Sequence, residues 1–339
     1  MPDTLRVVFI GCGRQASANL YPHLAALPEA GLVACCDLQE SLARRNAERF
    51  HIPAHYTDWE RMLAEEAPDA VFVVGPPMMH TEIGGQILER GLPLFTEKPV
   101  ARTLAEARQL ARLAEEKGVP TQVGHMLPHA PASKLARTLM AGPEFGRPVF
   151  LESKYFVPGP RRVIWEAPTL DWTYMLVQAV HPVDWARHML GDLVSVSCSR
   201  GEGANGAVAY VVAAEFANGA AGLINMTSCA PHVVAEMEIV GDGGAFIHIA
   251  NMESIRYEGG AWPYPRVHDY GRRQAGYFDE VQDFCRCLLR GEPTYATFAD
   301  EVKALEICQA ICESADAGGR RVPVATEQAR RRAQGRKRS

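Results

Sequence analysis

The chain has 339 residues, 47% hydrophobic and 22% charged, with 35 basic against 40 acidic side chains and a formal charge of −5. That length favours two domains, and the composition is that of a folded globular protein rather than a disordered one. The acidic body that remains once the basic last ten residues are set aside speaks against a nucleic-acid-binding fold, and no apolar run approaches the ~18 residues of a membrane span.

In chain order, the first 124 residues alternate strand and helix. Leu5 to Ile10 is a short β-rich apolar run, and a helix is expected from about Gln15 to Leu27. Leu32 to Asp37 reads as a second strand and Leu42 to Phe50 as a second helix. Ala70 to Val74 is a third strand, and Ile83 to Arg90 is helical with Gly91 as its C-cap. A strand at Pro93 to Thr96, a helix over Ala105 to Lys117 ending at Gly118, and a strand at Thr121 to Gly124 follow. Five apolar strands separated by helices predict a mostly parallel sheet covered on both faces.

The second half has another rhythm. Strand-like runs occur at Val149–Phe156, Val194–Arg200, Val208–Phe216, Ala221–Ser228, Ala235–Val240 and Ala245–Ile249. Turns such as Asn218-Gly219 and Asp242-Gly243 separate some of them, so a meandering antiparallel sheet is predicted. Helices flank it over Tyr174–Leu190, Tyr277–Leu289 and Ala299–Ala315. Beyond Val324 the chain turns polar and basic, and Glu327 to Ser339 reads as a mobile tail. The expected fold class is therefore an α/β Rossmann domain over 1–124, then an α+β domain over 125–326 with a large, mostly antiparallel open sheet, then the tail at 327–339.

Gly11-Cys12-Gly13-Arg14-Gln15-Ala16 is a G-x-G-x-x-A motif that follows a predicted strand and opens a predicted helix. The first glycine permits the tight turn, the second lets backbone N–H groups approach a pyrophosphate, and Ala16 lets helix and strand pack closely. Asp37 ends the second strand, where an acid accepts hydrogen bonds from the adenosine ribose and repels a 2′-phosphate. NAD is the favoured cofactor; Arg44 and Arg45 keep NADP as the alternative. The nine cysteines read as reduced, mostly buried thiols, and with no C-x-x-C pair no metal site is expected. The first ten residues do not have the make-up of a secretion signal, so a cytoplasmic location is expected.

Glu97-Lys98-Pro99-Val100, with Leu104-Ala105-Glu106-Ala107 after it, resembles the E-K-P run of the Gfo/Idh/MocA oxidoreductases. Gly75-Pro76-Pro77-Met78-Met79-His80 is similar to that family's T-P-N/P-x-x-H segment, with Gly75 where Thr is usual. Val123-Gly124-His125, Gly291-Glu292-Pro293 and the run Ser314 to Val322 extend the resemblance over about Arg6 to Val324. It implies hydride transfer between a nicotinamide cofactor and a sugar, sugar derivative or cyclic polyol, with Lys98 as acid/base. Glu97, Lys98, Gly75, Pro76, Pro77 and His80 join Gly11 to Gln15 and Asp37 as cofactor-binding candidates.

Relatives carry a D-x-x-x-H on the first helix of the second domain. Here His181 matches the histidine, but Val177 stands at the aspartate position and cannot accept or orient a proton. Gln178 and Asp184 are the polar neighbours left to bind a hydroxyl or orient His181. Tyr155, Arg161 and Trp165, the aromatic stretch from Trp262 to Tyr277, and His125 at the domain junction complete the candidate substrate site. Altered chemistry at Val177 keeps a second enzyme class in view, glycoside cleavage by transient ring oxidation and elimination. A non-catalytic cofactor sensor is a third reading, disfavoured by Lys98 and His181. A homo-oligomer, dimer or tetramer, is expected because Val208–Phe216 and Ala221–Ser228 look apolar on both alternations. Neither a specific nucleic acid nor a membrane is expected as a partner.

Overall fold

A computed structural model describes residues 4–259, 262–269 and 276–324, with 262–269 given by backbone alone. The elements begin β1 (Leu5–Ile10), a π-helical turn (Ala16–Leu20) running into α1 (Tyr21–Ala25), β2 (Ala30–Cys36), α2 (Glu40–Phe50), β3 (Ala54–Tyr56), α3 (Trp59–Glu66) and β4 (Ala70–Val73). They continue α4 (Pro77–Glu89), β5 (Leu94–Glu97), α5 (Leu104–Lys117), β6 (Thr121–Gly124), α6 (Met126–His129), α7 (Pro131–Met140) and β7 (Pro148–Phe156). Next come α8 (Leu170–Tyr174), a second π-helical turn (Met175–Ala179), α9 (Val180–Leu190), β8 (Leu193–Glu202), β9 (Val208–Phe216), β10 (Ala221–Thr227), β11 (Val234–Gly241) and β12 (Phe246–Ala250). The last are β13 (Ser254–Gly259), β14 (Trp262–Asp269), α10 (Tyr277–Arg290), α11 (Phe298–Asp316) and β15 (Val322–Pro323).

Two compact units result, Met1–His129 with Gly276–Val302, and Ala130–Ala275 with Lys303–Ser339. The first holds a six-stranded parallel sheet in the order β3-β2-β1-β4-β5-β6. The sixth strand is β3, which the sequence reading missed because Ala54-His55-Tyr56 is too short to show alternation. All four residues of β4 and of β5 are buried, as a sheet covered on both faces requires. Phe9 stacks on Tyr21 at 4.1 Å, and Phe72 stacks on Phe95 at 4.6 Å. Phe284 of α10 stands edge-on to Phe72 at 5.7 Å. That packing explains why Gly276–Val302, expected within a second domain over 125–326, groups with the first unit. α5 begins with a reciprocal capping box between Thr103 and Glu106 and ends at Gly118, φ 63°.

The second unit holds a nine-stranded sheet in the order β14-β13-β12-β11-β7-β10-β9-β8-β15. It is antiparallel except for β10 beside β7. One face is the core: Val208, Tyr210, Val212, Ala214 and Phe216 of β9 are all buried. The other face is more mixed than the sequence suggested. Val211 is 52% exposed on it, but the register sets Leu223 beside Glu152 and Asn225 beside Lys154.

All nine cysteines are free thiols. Among the described residues no helix is long and apolar enough to cross a membrane, and no cluster of His, Cys, Asp and Glu could hold a metal ion. The basic tail at 327–339, residues 270–275 and the side chains of 262–269 lie outside the described residues.

Candidate active site

The first unit brings most of the expected cofactor residues to the C-terminal edge of its sheet. β1 ends at Ile10, and Gly11 turns with φ 107°; a Cβ there would lie 2.0 Å from the Val74 carbonyl oxygen, so only glycine fits. Gly13 is exposed, and a Cβ on it would have nothing within 4 Å, which leaves its face open. Arg14 and Gln15 are exposed beside it, while Ala16 is buried against the strand. The Cys12 side chain points inward, with its Sγ 3.2 Å from the Tyr21 hydroxyl.

Asp37 accepts the Cys12 N–H at 2.8 Å through one oxygen and the Gln39 N–H at 2.9 Å through the other. The carboxylate thus braces the glycine loop as well as marking the end of β2. Each oxygen keeps a second lone pair for a ribose hydroxyl. An open glycine loop, its helix, and an acid at the end of the second strand together fit a dinucleotide.

On the other side of β1, Gly75 and Pro76 lead from β4 into α4, whose first residue is Pro77. His80 was expected to touch the cofactor, and the structure shows what its ring nitrogens do. It is fully buried, its Nε2 accepts the Gly75 N–H at 3.2 Å, and its Nδ1 donates to the Pro99 carbonyl at 2.9 Å. Both ring nitrogens are spent inside the protein, and burial pulls its pKa down to about 4, so it is a neutral pin between two loops.

Glu97 closes β5 and is 4% exposed. Its Oε1 accepts Gln15 Nε2 at 3.0 Å, and its Oε2 accepts the Lys98 N–H at 3.2 Å. A Cβ on Gly124 would lie 3.1 Å from its carboxyl carbon, so Gly124 makes room for it. Burial raises the Glu97 pKa, against the pull of the Lys98 ammonium and the Gln15 bond. Lys98 is half-buried at the strand end, and burial lowers its pKa while Glu97 and Glu301 oppose the change. That is the direction an acid/base lysine needs.

His125 follows β6, and its Nε2 meets Glu301 Oε2 at 2.6 Å, with both side chains buried. Tyr277, at the start of α10, is half-buried and interacts with Gln15. Glu301 escaped sequence reading because 176 residues separate it from His125.

The second unit assembles the other candidates. His181 is 5% exposed on α9, and its ring lies 5.5 Å from that of Tyr155 on β7. The preceding turn is π-helical, which the sequence did not reveal. Residues four apart are offset differently around the axis through such a turn than in an α-helix, so the Val177–His181 pair is not placed by α-helical spacing alone. Gln178 is half-buried. Asp184, expected to bind substrate or orient His181, is fully buried, with Arg187 Nη1 3.5 Å away, and Arg187 Nε also binds Asp192 at 2.9 Å. It belongs to a buried ion cluster, because a carboxylate taken out of water needs a cation. Arg161 is exposed, with Nε 3.4 Å from the Ser228 carbonyl, and Trp165 is half-buried in a turn at φ 55°.

Two family profiles match the chain: an oxidoreductase family NAD-binding Rossmann fold over residues 5–125 and a GFO/IDH/MocA C-terminal domain over 133–247. The chain is 24% identical over 327 residues to scyllo-inositol 2-dehydrogenase (NAD(+)) of Bacillus subtilis (strain 168), covering 91% of this chain and 93% of that protein. It is 24% identical over 387 residues to levoglucosan dehydrogenase of Pseudarthrobacter phenanthrenivorans, covering 92% and 96%. A dehydrogenase from Chromobacterium violaceum has the same fold, with a TM-score of 0.88 at 23% identity over 99% of both chains. With the dinucleotide loop, the E-K-P strand end and both profiles in place, the chain belongs to the Gfo/Idh/MocA family of NAD-dependent oxidoreductases.

Proposed function

We propose that the protein transfers a hydride between NAD and a secondary carbinol of a sugar, sugar derivative or cyclic polyol, with Lys98 as acid/base. The observation that carries this reading is a half-buried lysine, directly after the buried Glu97 at the end of β5, whose ammonium is disfavoured by burial. NAD, when bound, supplies the hydride acceptor or donor. Gly11, Cys12, Gly13, Arg14 and Gln15 would hold its pyrophosphate, Asp37 its adenosine ribose, and the Gly75-Pro76-Pro77 loop and Glu97 its other half. Lys98 takes the hydroxyl proton in oxidation and returns it in reduction. His125, Tyr277, His181, Tyr155, Gln178, Arg161 and Trp165 are the candidate substrate contacts. Two relatives support the class: one is named for scyllo-inositol and one for levoglucosan, a polyol and an anhydro-sugar.

The test is a panel of sugars, anhydro-sugars and inositols with NAD, followed by NADH absorbance. Turnover on none of them would count against the substrate class. A second reading, transient ring oxidation with glycosidic elimination, is favoured by Val177 at the usual aspartate position. It predicts cleavage of a glycoside with no net NADH. We further propose a cytoplasmic homo-oligomer joined through the outer face of the nine-stranded sheet, where Val211 is exposed.

A further inference from the structure

Glu280 is the least expected side chain of the first unit. It lies in the first turn of α10, is 0% exposed, and neither carboxyl oxygen has a hydrogen-bond partner among the described residues. An ionised carboxylate so placed is costly, and native proteins seldom leave one unpaired. Its position follows from β6. Gln122 and Gly124 project from one face of that strand, being two residues apart. Gln122 Nε2 donates to the Glu280 carbonyl at 2.6 Å, and Gly124 makes room for the Glu97 carboxyl. The first turn of α10 therefore covers the face on which Glu97 lies. Tyr277, one turn before Glu280, reaches Gln15, which itself binds Glu97 at 3.0 Å.

Two buried carboxyls, one of which feels the charge of the other, cannot both ionise cheaply. Burial is the main influence holding each above its ordinary pKa, and at Glu280 the neighbouring charges of Glu97, Asp283 and Asp279 add to it. Lys98 and His125 pull Glu97 the other way, so Glu280 is the partner that keeps the proton. Among the remaining groups, Asp283 is bound to His129 Nδ1 at 2.7 Å, and Tyr277 is a neutral phenol whose own ionisation is suppressed by burial. The start of α10 favours negative charge, but its field is weaker than the desolvation of a fully buried carboxylate.

The sheet order is β3-β2-β1-β4-β5-β6, so Asp37 at the end of β2 and Glu97 at the end of β5 stand on opposite sides of the glycine loop. A dinucleotide spanning that edge with its adenosine on Asp37 carries its nicotinamide toward Glu97. The oxidised ring is cationic and the reduced ring neutral. We propose that the Glu97–Glu280 carboxyl pair holds one proton in the cofactor-free protein and releases it to solvent when NAD+ binds, whereas NADH binds without release. The O–H bond of the Glu280 carboxyl breaks, the proton passes to buffer, and the negative charge left on the pair would offset that of the cationic ring; no electrons move. The pair then discriminates between redox states of the cofactor by pH. The inference rests on the cofactor seat proposed above, but not on any substrate.

Isothermal titration calorimetry of NAD+ and of NADH near neutral pH, in phosphate and in Tris, reads proton release as a buffer-dependent enthalpy. For the unaltered protein, NAD+ is expected to release up to one proton and NADH less. NAD+ affinity relative to NADH then rises by up to about tenfold per pH unit through the release range. Glu280→Gln keeps the shape of the protonated acid and is expected to bind NAD+ with the buffer dependence lost. Glu97→Gln should lose it too, so a folding defect in one variant does not decide the matter. Equal buffer dependence for NAD+ and NADH, or an unchanged dependence in a folded Glu280→Gln protein, overturns the proposal while leaving the seat intact. No NAD+ binding at all overturns the seat and the proposal together.

Discussion

His125 and Glu301 form a closed pair: the imidazole Nε2 and the carboxylate Oε2 lie 2.6 Å apart, with side-chain exposures of 1% and 0%. Breaking such a pair from one side leaves the other group uncompensated. Glu301→Leu or His125→Phe alone should each destabilise the protein by about 3–5 kcal/mol, while the double variant should recover most of the loss. Urea denaturation of the three variants checks this, and additive losses would show that the two side chains do not act as a unit.

His80 predicts sensitivity to acid. Its native pKa, about 4, lies below the ordinary value of 6.5, so the unfolded chain binds the proton more readily. Its contribution to stability is present above the ordinary value and is lost as pH falls toward 4. The expected loss is about 3 kcal/mol, because burial strips the charged ring of water, and its second N–H would also face the Gly75 N–H. His80→Gln should flatten this part of the stability profile; a profile identical to that of the unaltered protein would remove His80 from the explanation.

Lys98→Met should lower kcat by about 10²–10⁴-fold and leave NAD affinity nearly unchanged. Because burial lowers the Lys98 pKa, its neutral form is reached at lower pH than for an ordinary lysine. Oxidation should therefore gain rate with rising pH through that lowered value, and the dependence should vanish in the variant. Near-normal turnover by Lys98→Met would assign the proton to another group.

The outer sheet face makes a prediction about mass. If it joins subunits, the 37.2 kDa chain should sediment as a dimer or tetramer at micromolar concentration. Val211→Lys with Leu223→Glu should shift it toward monomer without unfolding, since both residues lie on the outward alternation. A monomeric unaltered protein would rule the interface out.

Residues whose pattern is local were readable directly. β1 and β9 run over Leu5–Ile10 and Val208–Phe216 as their alternation and turn signals imply, and α5 stops at Gly118. α4 begins six residues before Ile83, because two prolines hide a helix start that tolerates one at its first position. The glycine loop and Asp37 announce themselves by spacing, whereas Glu280 looks like any first-turn acid on an amphipathic helix. Its burial depends on β6, far away in the chain, and the same distance hid the Glu301 partner of His125. The burial of His80 and Asp184 was hidden from the sequence for one reason. A polar side chain in a motif looks available until the groups that consume its hydrogen bonds or charge are in view.

The π-helical turn at Met175–Ala179 gives the segment before His181 one residue more than an α-helix of the same course would need. An extra residue of that kind is a small insertion that the chain tolerates without rerouting either flank. Removing one residue from the turn should restore an α-helical path and rotate the side chains upstream by about 100° around the axis, while His181 stays in place. Such a length change is a single genetic step by which the half-buried side chain at 177 is exchanged for its neighbour. Substitutions at position 177 alone, such as Val177→Asp, therefore sample only half of the available routes to a different proton partner for His181; a one-residue deletion samples the other half.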